Sequence, residues 1–237
     1  MNKVSGPLVL TIEDDATVRL FLSMTLVGHG YRVVEALTGE SGISQAAACQ
    51  PDVVLLDLGL PDTDGLEVTR RLREWSLVPI IVLSGKRHEN DKVAALDAGA
   101  DDYITKPFGV DELLARLRVA LRHAERASDA TDEAQFASGD LQIDFARRHV
   151  VMRGNPVRLT PIEYRLLVTL ARSVGKVVSH RDLLKEVWGP EYARESNYLR
   201  VYMKHLRDKM ETDSAQPEYL LSEAGVGYRL ADIAVTV

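Results

Sequence analysis

The chain has 237 residues, of which 46% are apolar and 27% are charged, and its formal net charge is −6. These fractions are sufficient for packed cores and exclude a wholly disordered chain. No apolar run approaches the roughly 20 residues that a membrane helix needs, and residues 1–8 do not have the pattern of a secretory signal. The single cysteine, Cys49, excludes an internal disulfide and a cysteine-based zinc site. We therefore expect a cytoplasmic protein without a membrane contact, whose negative charge argues at first sight against a nucleic-acid partner.

The charge is unevenly distributed along the chain. Residues 1–126 contain 14 Lys and Arg against 19 Asp and Glu, whereas residues 138–231 contain 15 against 12. The segment 127–135 between them is small, polar and acidic, which is typical of a linker. We interpret the chain as two domains, residues 1–126 and 136–231, joined by a linker over residues 127–135.

In the first domain, five short runs of β-forming residues alternate with five amphipathic segments. The first, third and fourth runs are almost wholly apolar, as central parallel strands buried on both faces are. The alternation predicts an α/β flavodoxin-like fold, a doubly wound, five-stranded parallel sheet with its ligand site at the carboxyl ends of the strands. The predicted strands are 8–12, 31–34, 53–56, 80–83 and 103–104, and the predicted helices are 16–27, 39–48, 66–75, 91–98 and 111–121.

Acidic and polar residues follow four of these strands. The first strand leads into residues 13–15, all acidic, and the others lead into Asp57, Ser84 and Lys106. Clustered carboxylates repel one another unless a cation neutralises them, and such hard oxygen ligands suit Mg²⁺. Carboxylates, a hydroxyl, a lysine and a metal ion together form a phosphoryl-transfer site with Asp57 as the nucleophile. The preference of Asp for turns explains any one of these residues, but it explains all four strand ends together less well.

These stretches resemble the receiver domain of two-component response regulators. The matching segments, which agree with that family in order and spacing, are Ile12–Asp15, Leu55–Asp62, Asp64–Gly65, Val82–Ser84, Gly99–Tyr103 and Lys106–Phe108. The resemblance implies that a sensor histidine kinase phosphorylates Asp57, with Ser84 and Lys106 contacting the phosphoryl oxygens. It also implies that Tyr103 is a switch residue turning inward on phosphorylation, and that the Lys106–Pro107 bond is cis. The implied Mg²⁺ ligands are Glu13, Asp14, Asp57 and the backbone carbonyl of Gly59. Gly85 stands where alanine is common in this family, and we hypothesise that the missing methyl alters water access to the phosphorylated aspartate.

Charged residues of both signs occupy the fourth and fifth predicted helices and the strand between them. They are Lys92, Asp97, Asp101, Asp102, Glu112, Arg116 and Arg118. Such a pattern also describes an ordinary solvated surface, where ion pairs contribute only about 0–1 kcal/mol each. Similarity to the OmpR/PhoB subfamily instead implies a two-fold dimer through this face. Its expected intersubunit pairs are Lys92–Glu112, Asp101–Arg118 and Asp102–Arg116, and mixed charge gives the self-complementary patch that a two-fold interface needs.

The second domain begins with short strands and continues with three helices. Residues 160–163 form a capping box with proline at the first helical position. In the predicted helix 197–210, an apolar stripe is formed by Leu199, Met203, Leu206 and Met210. A basic arc beside the stripe fits a helix in a DNA major groove, although a solvated basic helix is an equally good interpretation of the pattern alone. The candidate DNA contacts in this arc are Asn197, Arg200, Val201, Lys204, His205 and Arg207.

Two strand-like runs around Ala224–Gly227 predict a hairpin near the end of the chain. Together with residues 159–163, 183–188 and 206–209, this hairpin resembles the α+β winged-helix output domain of OmpR/PhoB regulators. The resemblance implies that the hairpin is the wing, that Arg229 approaches a minor groove, and that residues 189–195 face RNA polymerase. Further segments, 57–62, 91–102, 115–121, 159–164 and 198–203, resemble regulators of high-affinity potassium transport.

The sequence therefore predicts a phosphorylation-activated transcription factor that binds double-stranded promoter DNA as a dimer and catalyses its own phosphorylation and dephosphorylation. A regulator of the same family with a different set of target genes is the first alternative. A Mg²⁺-dependent aspartyl-phosphate phosphatase is a second, but that class needs an acid/base aspartate two residues after the nucleophile, where this chain has Gly59. A constitutive DNA binder is a third, and the intact acidic residues argue against it.

Overall fold

The computed structural model describes residues 6–85, 89–125, 135–193 and 195–234, without the side chains of residues 122–125. The chain forms two compact units, Met1–Ala124 and Glu125–Val237. The expected linker lies outside the described residues, except for Gln135, which begins a strand. Among the described residues, no helix is both long and apolar enough to cross a membrane.

The first unit is the predicted five-stranded parallel sheet with helices between its strands, which confirms the expected fold class. The strand order is β2-β1-β3-β4-β5, so the chain reverses its direction of winding at β1 and β3. The strands are β1 Leu8–Ile12, β2 Arg32–Ala36, β3 Val53–Asp57, β4 Ile80–Ser84 and β5 Asp102–Thr105. The helices are α1 Ala16–Gly28, α2 Gly39–Cys49, α3 Gly65–Arg73, α4 Glu89–Asp97 and α5 Val110–Glu125.

The sheet of the first unit is covered on both faces. Successive residues of each strand point to opposite sides, so Val9 packs in one core with Leu22 of α1 and Leu117 of α5. Leu10 packs in the other core with Val68 of α3 and Ala95 of α4. Every residue of β1, β3 and β4 is buried, and this explains why these three strands are so apolar.

Local caps fix where α1 and α3 begin, and they account for two acidic residues of the sequence motifs. Asp15 accepts hydrogen bonds from the backbone of Thr17 and Val18, at 2.7 and 3.0 Å. Asp64 accepts one from Leu66, at 2.9 Å. Such caps satisfy amide groups that have no partner in the helix. Both aspartates therefore have structural roles beside the strand ends.

The second unit contains a four-stranded antiparallel sheet, three helices and a three-stranded sheet in the order β10-β12-β11. The first sheet consists of β6 Gln135–Ser138, β7 Leu141–Asp144, β8 His149–Met152 and β9 Asn155–Pro156. The helices are α6 Pro161–Ala171, α7 His180–Val187 and α8 Ser196–Met210, with a 3-10 turn at Pro190–Tyr192. The other strands are β10 Val178–Ser179, β11 Leu220–Glu223 and β12 Gly227–Leu230. This arrangement confirms the expected winged helix.

The capping box and the apolar stripe that the sequence predicts are both present. Thr160 donates its backbone N–H to Glu163 Oε2 at 2.7 Å, and its hydroxyl accepts from the Glu163 backbone. The four stripe residues of α8 are fully buried, so this side of α8 packs on the core and the other side is available to solvent. Strand β10 was not predicted, because two residues are too short to show a period.

Candidate functional site

The carboxyl ends of β1, β3, β4 and β5 meet at one edge of the parallel sheet and bring the predicted pocket residues together. Glu13, Asp57 and Ser84 are 1%, 7% and 3% exposed, and Asp14 beside them is exposed to solvent. One ligand atom from each of Glu13, Asp14 and Asp57 lies within 4.8 Å of the others. Three carboxylates around one point are a donor set that fits a hard divalent cation such as Mg²⁺.

Lys106 connects the two buried carboxylates of this pocket. Its Nζ donates to Asp57 Oδ1 at 2.5 Å and to Glu13 Oε2 at 2.7 Å. The lysine follows β5, and its peptide bond to Pro107 is cis, as the resemblance implied. Burial would lower the pKa of Lys106, but the hydrogen bonds to Asp57 and Glu13 outweigh it and the pKa is raised. Lys106 is therefore a firmly protonated cation at the candidate nucleophile.

The pKa of Glu13 is raised as well, but for a carboxyl this shift disfavours the charged form. Burial raises the pKa of its carboxyl, and the nearby negative charge of Asp57 acts in the same direction. The hydrogen bond from Lys106 opposes this shift without cancelling it. A buried carboxylate with a raised pKa gains from a bound cation, because a cation stabilises the charged form.

Gly59 contacts the candidate nucleophile through its backbone. Its N–H donates to Asp57 Oδ2 at 2.7 Å, so the two oxygens of Asp57 have different partners, an amide and an ammonium. A Cβ at residue 59 would lie 3.1 Å from the same oxygen, which shows how closely the backbone approaches. The space at Gly65 is even smaller. A Cβ there would lie 2.5 Å from the Asp57 carbonyl oxygen and would clash with the backbone.

Tyr103 lies inside the first unit, with its side chain hydrogen-bonded to Ser84. Burial raises the pKa of the phenol, although the hydrogen bond to Ser84 acts in the opposite direction. We expected the ring to turn inward after phosphorylation, but in the structure the ring is already buried, with Ser84 as the hydrogen-bond partner of its hydroxyl.

Arg19 of α1 is a residue that the sequence analysis missed. Its guanidinium donates to the backbone carbonyls of Glu13 and Asp14, each at 3.0 Å. An arginine at this position is common on the exposed face of an amphipathic helix. Only the three-dimensional structure shows that Arg19 contacts the acidic loop.

In the second unit, α8 presents Arg200 and Lys204 to solvent, one turn apart, with Asn197 half-buried beside them. Val201 is placed differently from our expectation. It is only 6% exposed, although the helical period places residue 201 about half a turn away from the apolar stripe, so this part of the arc is buried as well. We therefore remove Val201 from the candidate DNA contacts.

Three other candidate DNA contacts have partners within the unit. Arg207 donates to the Leu220 carbonyl and to Ser222 Oγ of β11, so it connects α8 to the hairpin. His205 Nδ1 lies 3.8 Å from Glu163 of α6. Arg229 Nη2 lies 3.1 Å from Glu223 Oε1 across the hairpin. Arg200 and Lys204 are thus the most accessible cations of the candidate set.

Comparison with known proteins gives consistent results for both units. The description "Response regulator receiver domain" matches residues 9–118, and "Transcriptional regulatory protein, C terminal" matches residues 154–230. The KDP operon transcriptional regulatory protein KdpE of Escherichia coli K12 is 52% identical over 222 residues, which cover 93% of this chain and 97% of that protein. KdpE of Mycobacterium tuberculosis H37Rv is 49% identical, with 94% and 98% covered.

The chain is a response regulator of the OmpR/PhoB type. Among solved structures, a mutant of RitR has a TM-score of 0.78 at 28% identity, and the match covers 95% of this chain and 99% of that one. This response regulator thus combines a receiver unit with a winged-helix DNA-binding unit, and it is similar to the KdpE regulators.

The charged face of α4, β5 and α5 differs from the intersubunit pattern we expected of this response regulator. Asp101 is 4% exposed and its Oδ2 accepts from Arg73 at 2.6 Å and from the Ile80 backbone at 2.8 Å. Its carboxylate ties α3 to β4 inside the receiver, so we withdraw the pair between Asp101 and Arg118. Asp102 is also buried and accepts from Arg116 within the same chain. The exposed members of this face are Asp97, Glu112 and Arg118, with Lys92 half-buried.

Proposed function

We propose that a sensor histidine kinase phosphorylates Asp57 of this response regulator, which then dimerises and binds promoter DNA to control transcription. The observation that carries the proposal is the 2.5 Å contact between Asp57 Oδ1 and Lys106 Nζ. It places a candidate acceptor oxygen beside a protonated lysine, in a pocket whose other carboxylates suit Mg²⁺.

In the proposed transfer, a carboxylate oxygen of Asp57 attacks the phosphorus of a phosphohistidine. The new phosphorus–oxygen bond forms as the phosphorus–nitrogen bond breaks, and the departing imidazole nitrogen takes up a proton. Lys106 and the Ser84 hydroxyl would donate hydrogen bonds to the phosphoryl oxygens. Hydrolysis of the acyl phosphate by water would return Asp57 to its free form, so the receiver would catalyse both steps.

The residues that would hold Mg²⁺ are Glu13, Asp14, Asp57 and the backbone carbonyl of Gly59. The ion, when bound, supplies positive charge against the phosphoryl oxygens. The fit is supported by the cluster of three carboxylates and by the raised pKa of Glu13, since a buried acid with that shift is stabilised in its charged form by a cation.

Phosphorylation adds about −1.5 to −2 charge at Asp57, and Lys106 would then share its hydrogen bonds with the phosphoryl group. We propose that this change, transmitted through Ser84 and Tyr103, favours a dimer through the α4–β5–α5 face. Two DNA-binding units in one dimer raise the effective concentration of the second at a paired site.

In the proposed complex with DNA, Arg200 and Lys204 of α8 enter the major groove, Asn197 contacts a base edge, and Arg229 approaches the minor groove from the hairpin. Residues 189–195 would face RNA polymerase. We propose that this activity takes place in the cytoplasm, where a response regulator would meet its promoters. Both relatives are named KdpE, and one of them is named as the regulator of the KDP operon, which supports the potassium-transport target that the sequence resemblance implies.

The test is sequencing of the DNA that the protein binds in cells, together with binding of purified protein to the recovered sites. Wild type, Asp57→Asn and the control Glu74→Gln, which removes an exposed carboxylate of the same unit, are compared with and without acetyl phosphate. We expect acetyl phosphate to tighten DNA binding by wild type and by Glu74→Gln but not by Asp57→Asn. We also expect the recovered sites to lie upstream of potassium-transport genes.

Two results would contradict the proposal. Asp57→Asn binding as tightly as phosphorylated wild type would overturn the phosphorylation switch. Enrichment only at unrelated promoters would overturn the potassium-transport assignment and leave the switch in place.

A further inference from the structure

Arg19 contacts the backbone of both residues that carry the first two candidate metal ligands. The same nitrogen, Nη1, donates to the carbonyl oxygens of Glu13 and Asp14, each at 3.0 Å. Its Nε lies 3.4 Å from Glu35 Oε2 at the end of β2, and the arginine side chain is 18% exposed. A side chain from α1 thus holds together two successive carbonyls of the loop between β1 and α1.

The acidic loop, residues 13–15, is also fixed at its two ends. The Glu13 N–H donates to the Ala36 carbonyl at 3.0 Å, and Asp15 caps α1 through its side chain. Asp14, in the middle, is exposed, so packing does not fix the direction of its carboxylate. The Arg19 contact to its carbonyl restricts the backbone at that residue, and the backbone of a short side chain such as Asp determines where its carboxylate points.

We infer that Arg19 is a positioning residue for the divalent-cation site, holding Glu13 and Asp14 in the arrangement that binds the ion; this inference rests on the proposed Mg²⁺ site. A free cation near a metal site would oppose metal binding by Coulomb repulsion. Glu35, 3.4 Å from Arg19, offsets part of this charge, and we attribute the effect of Arg19 to its contacts with the two carbonyls. Groups that orient metal ligands without touching the metal alter affinity by about 10–100-fold when they are removed.

The experiment is calorimetric titration of the full chain with MgCl2, paired with thermal unfolding in EDTA. The variants are Arg19→Met, Arg19→Lys, Asp14→Asn and the control Arg32→Met. Arg32 is a matched control because its Nε also donates to a backbone carbonyl, that of Gly6 at 2.9 Å, away from the acidic loop. Arg19→Met keeps most of the side chain's apolar length and removes the guanidinium, with both its N–H donors and its positive charge.

We expect Arg19→Met to weaken Mg²⁺ binding by about tenfold, and Arg19→Lys to recover part of the loss because an ammonium still donates to carbonyls. Arg32→Met should bind Mg²⁺ as wild type does, whatever its melting temperature in EDTA. Asp14→Asn should weaken binding because it removes a charged ligand.

The outcomes separate the inference from the function on which it rests. Wild type without saturable Mg²⁺ binding would overturn the proposed site itself. Wild type that binds Mg²⁺ while Arg19→Met binds it equally well would overturn only the role of Arg19. The role of Arg19 would also be overturned if Arg19→Met and Arg32→Met lost Mg²⁺ affinity equally and in proportion to their loss of melting temperature. Both substitutions would then act through the stability of the fold.

Discussion

The guanidinium of Arg116 on α5 donates two hydrogen bonds to the carboxylate of Asp102 at the start of β5, at 2.9 and 3.0 Å, within one chain. The same guanidinium contacts Glu112 one turn earlier on the helix, at 2.9 Å. Three of the charged residues assigned to the proposed dimer face are therefore already paired inside the receiver. A dimer through this face either keeps the internal pair or exchanges it for an intersubunit one.

Replacing Arg116 with Ala is expected to abolish phosphorylation-dependent dimerisation and to lower the free energy of unfolding by about 1–3 kcal/mol, because it leaves the buried carboxylate of Asp102 without this partner. Sedimentation velocity with and without acetyl phosphate measures the first effect, and urea unfolding the second. Arg70→Ala is the control, since Arg70 pairs with Glu67 on the exposed surface of α3 and such pairs contribute little. Dimerisation of Arg116→Ala at wild-type concentrations would contradict the expected role of Arg116 in the proposed dimer.

Gly85 follows Ser84 at the edge of the proposed phosphorylation pocket, and it is exposed. A Cβ at this position would meet nothing within 4 Å, so Gly85→Ala should fold normally. We expect the added methyl to restrict water near the phosphorylated Asp57 and to lengthen the lifetime of the acyl phosphate. Loss of radiolabelled phosphate measures that lifetime. Gly109→Ala, where a Cβ also has open space, is the matched control, and an unchanged lifetime in Gly85→Ala would refute the hypothesis.

The receiver fold follows from sequence because its periodicities are simple. Strands β1, β3 and β4 are buried on both faces, so a continuous apolar run identifies each of them. The acidic residues after β1 and β3 are predictable as a site because all carboxyl ends of a parallel sheet lie at one edge. Contacts that depend on side-chain reach, such as Arg19 with the Glu13 carbonyl, have no periodic signal in a single sequence.

The DNA-binding helix shows the limit of the same reasoning. The apolar stripe through Leu199 and Met203 was predicted correctly, but the exposure of the arc was not, because Val201 within the arc is buried too. A period of 3.6 residues gives the direction of a face, whereas its width depends on the neighbouring helices. The internal partners of Arg207 and Arg229 come from strands that are distant in sequence, so charge patterns alone could not reveal them.

Asp62, in the motif after β3, has a structural role that predicts a pH effect. Its carboxylate accepts from the backbone of Gly39 and Glu40 at the start of α2, at 2.9 and 3.0 Å. The hydrogen bond from Glu40, then that from Gly39, lowers the pKa of Asp62 below its usual 3.8. A lowered pKa stabilises the fold above the unfolded-state pKa, and that stabilisation is lost as the pH falls through the folded-state pKa.

We therefore expect Asp62→Ala to lower the melting temperature at pH 7, with a difference from wild type that shrinks as the pH falls below about 3.8. Calorimetry across this pH range measures the difference. Phosphorylation of Asp57 by acetyl phosphate should persist in the variant, because Asp62 contacts α2 and not the pocket. A difference that stays constant to the lowest pH would contradict the assigned role.

The hairpin of the DNA-binding unit carries an ion pair that we expect to limit its contact with DNA. Arg229 contacts Glu223 at 3.1 Å, while Val226 at the tip is 54% exposed. Glu223 therefore competes with DNA phosphates for the guanidinium. Glu223→Gln should tighten binding to the recovered promoter sites and make the logarithm of the binding constant fall more steeply with the logarithm of salt, by about one unit of slope, because one more cation contacts phosphate.

Fluorescence anisotropy at several salt concentrations measures both quantities for Glu223→Gln. Glu218→Gln is the matched control, since it removes the same charge from an exposed residue 3.9 Å from Arg153, outside the hairpin. A general loss of negative charge would tighten binding equally in the two variants. If the ion pair reduces the contact of Arg229 with DNA, Glu223→Gln should tighten DNA binding more than Glu218→Gln does. This additional effect should disappear when Arg229 is also replaced by Met.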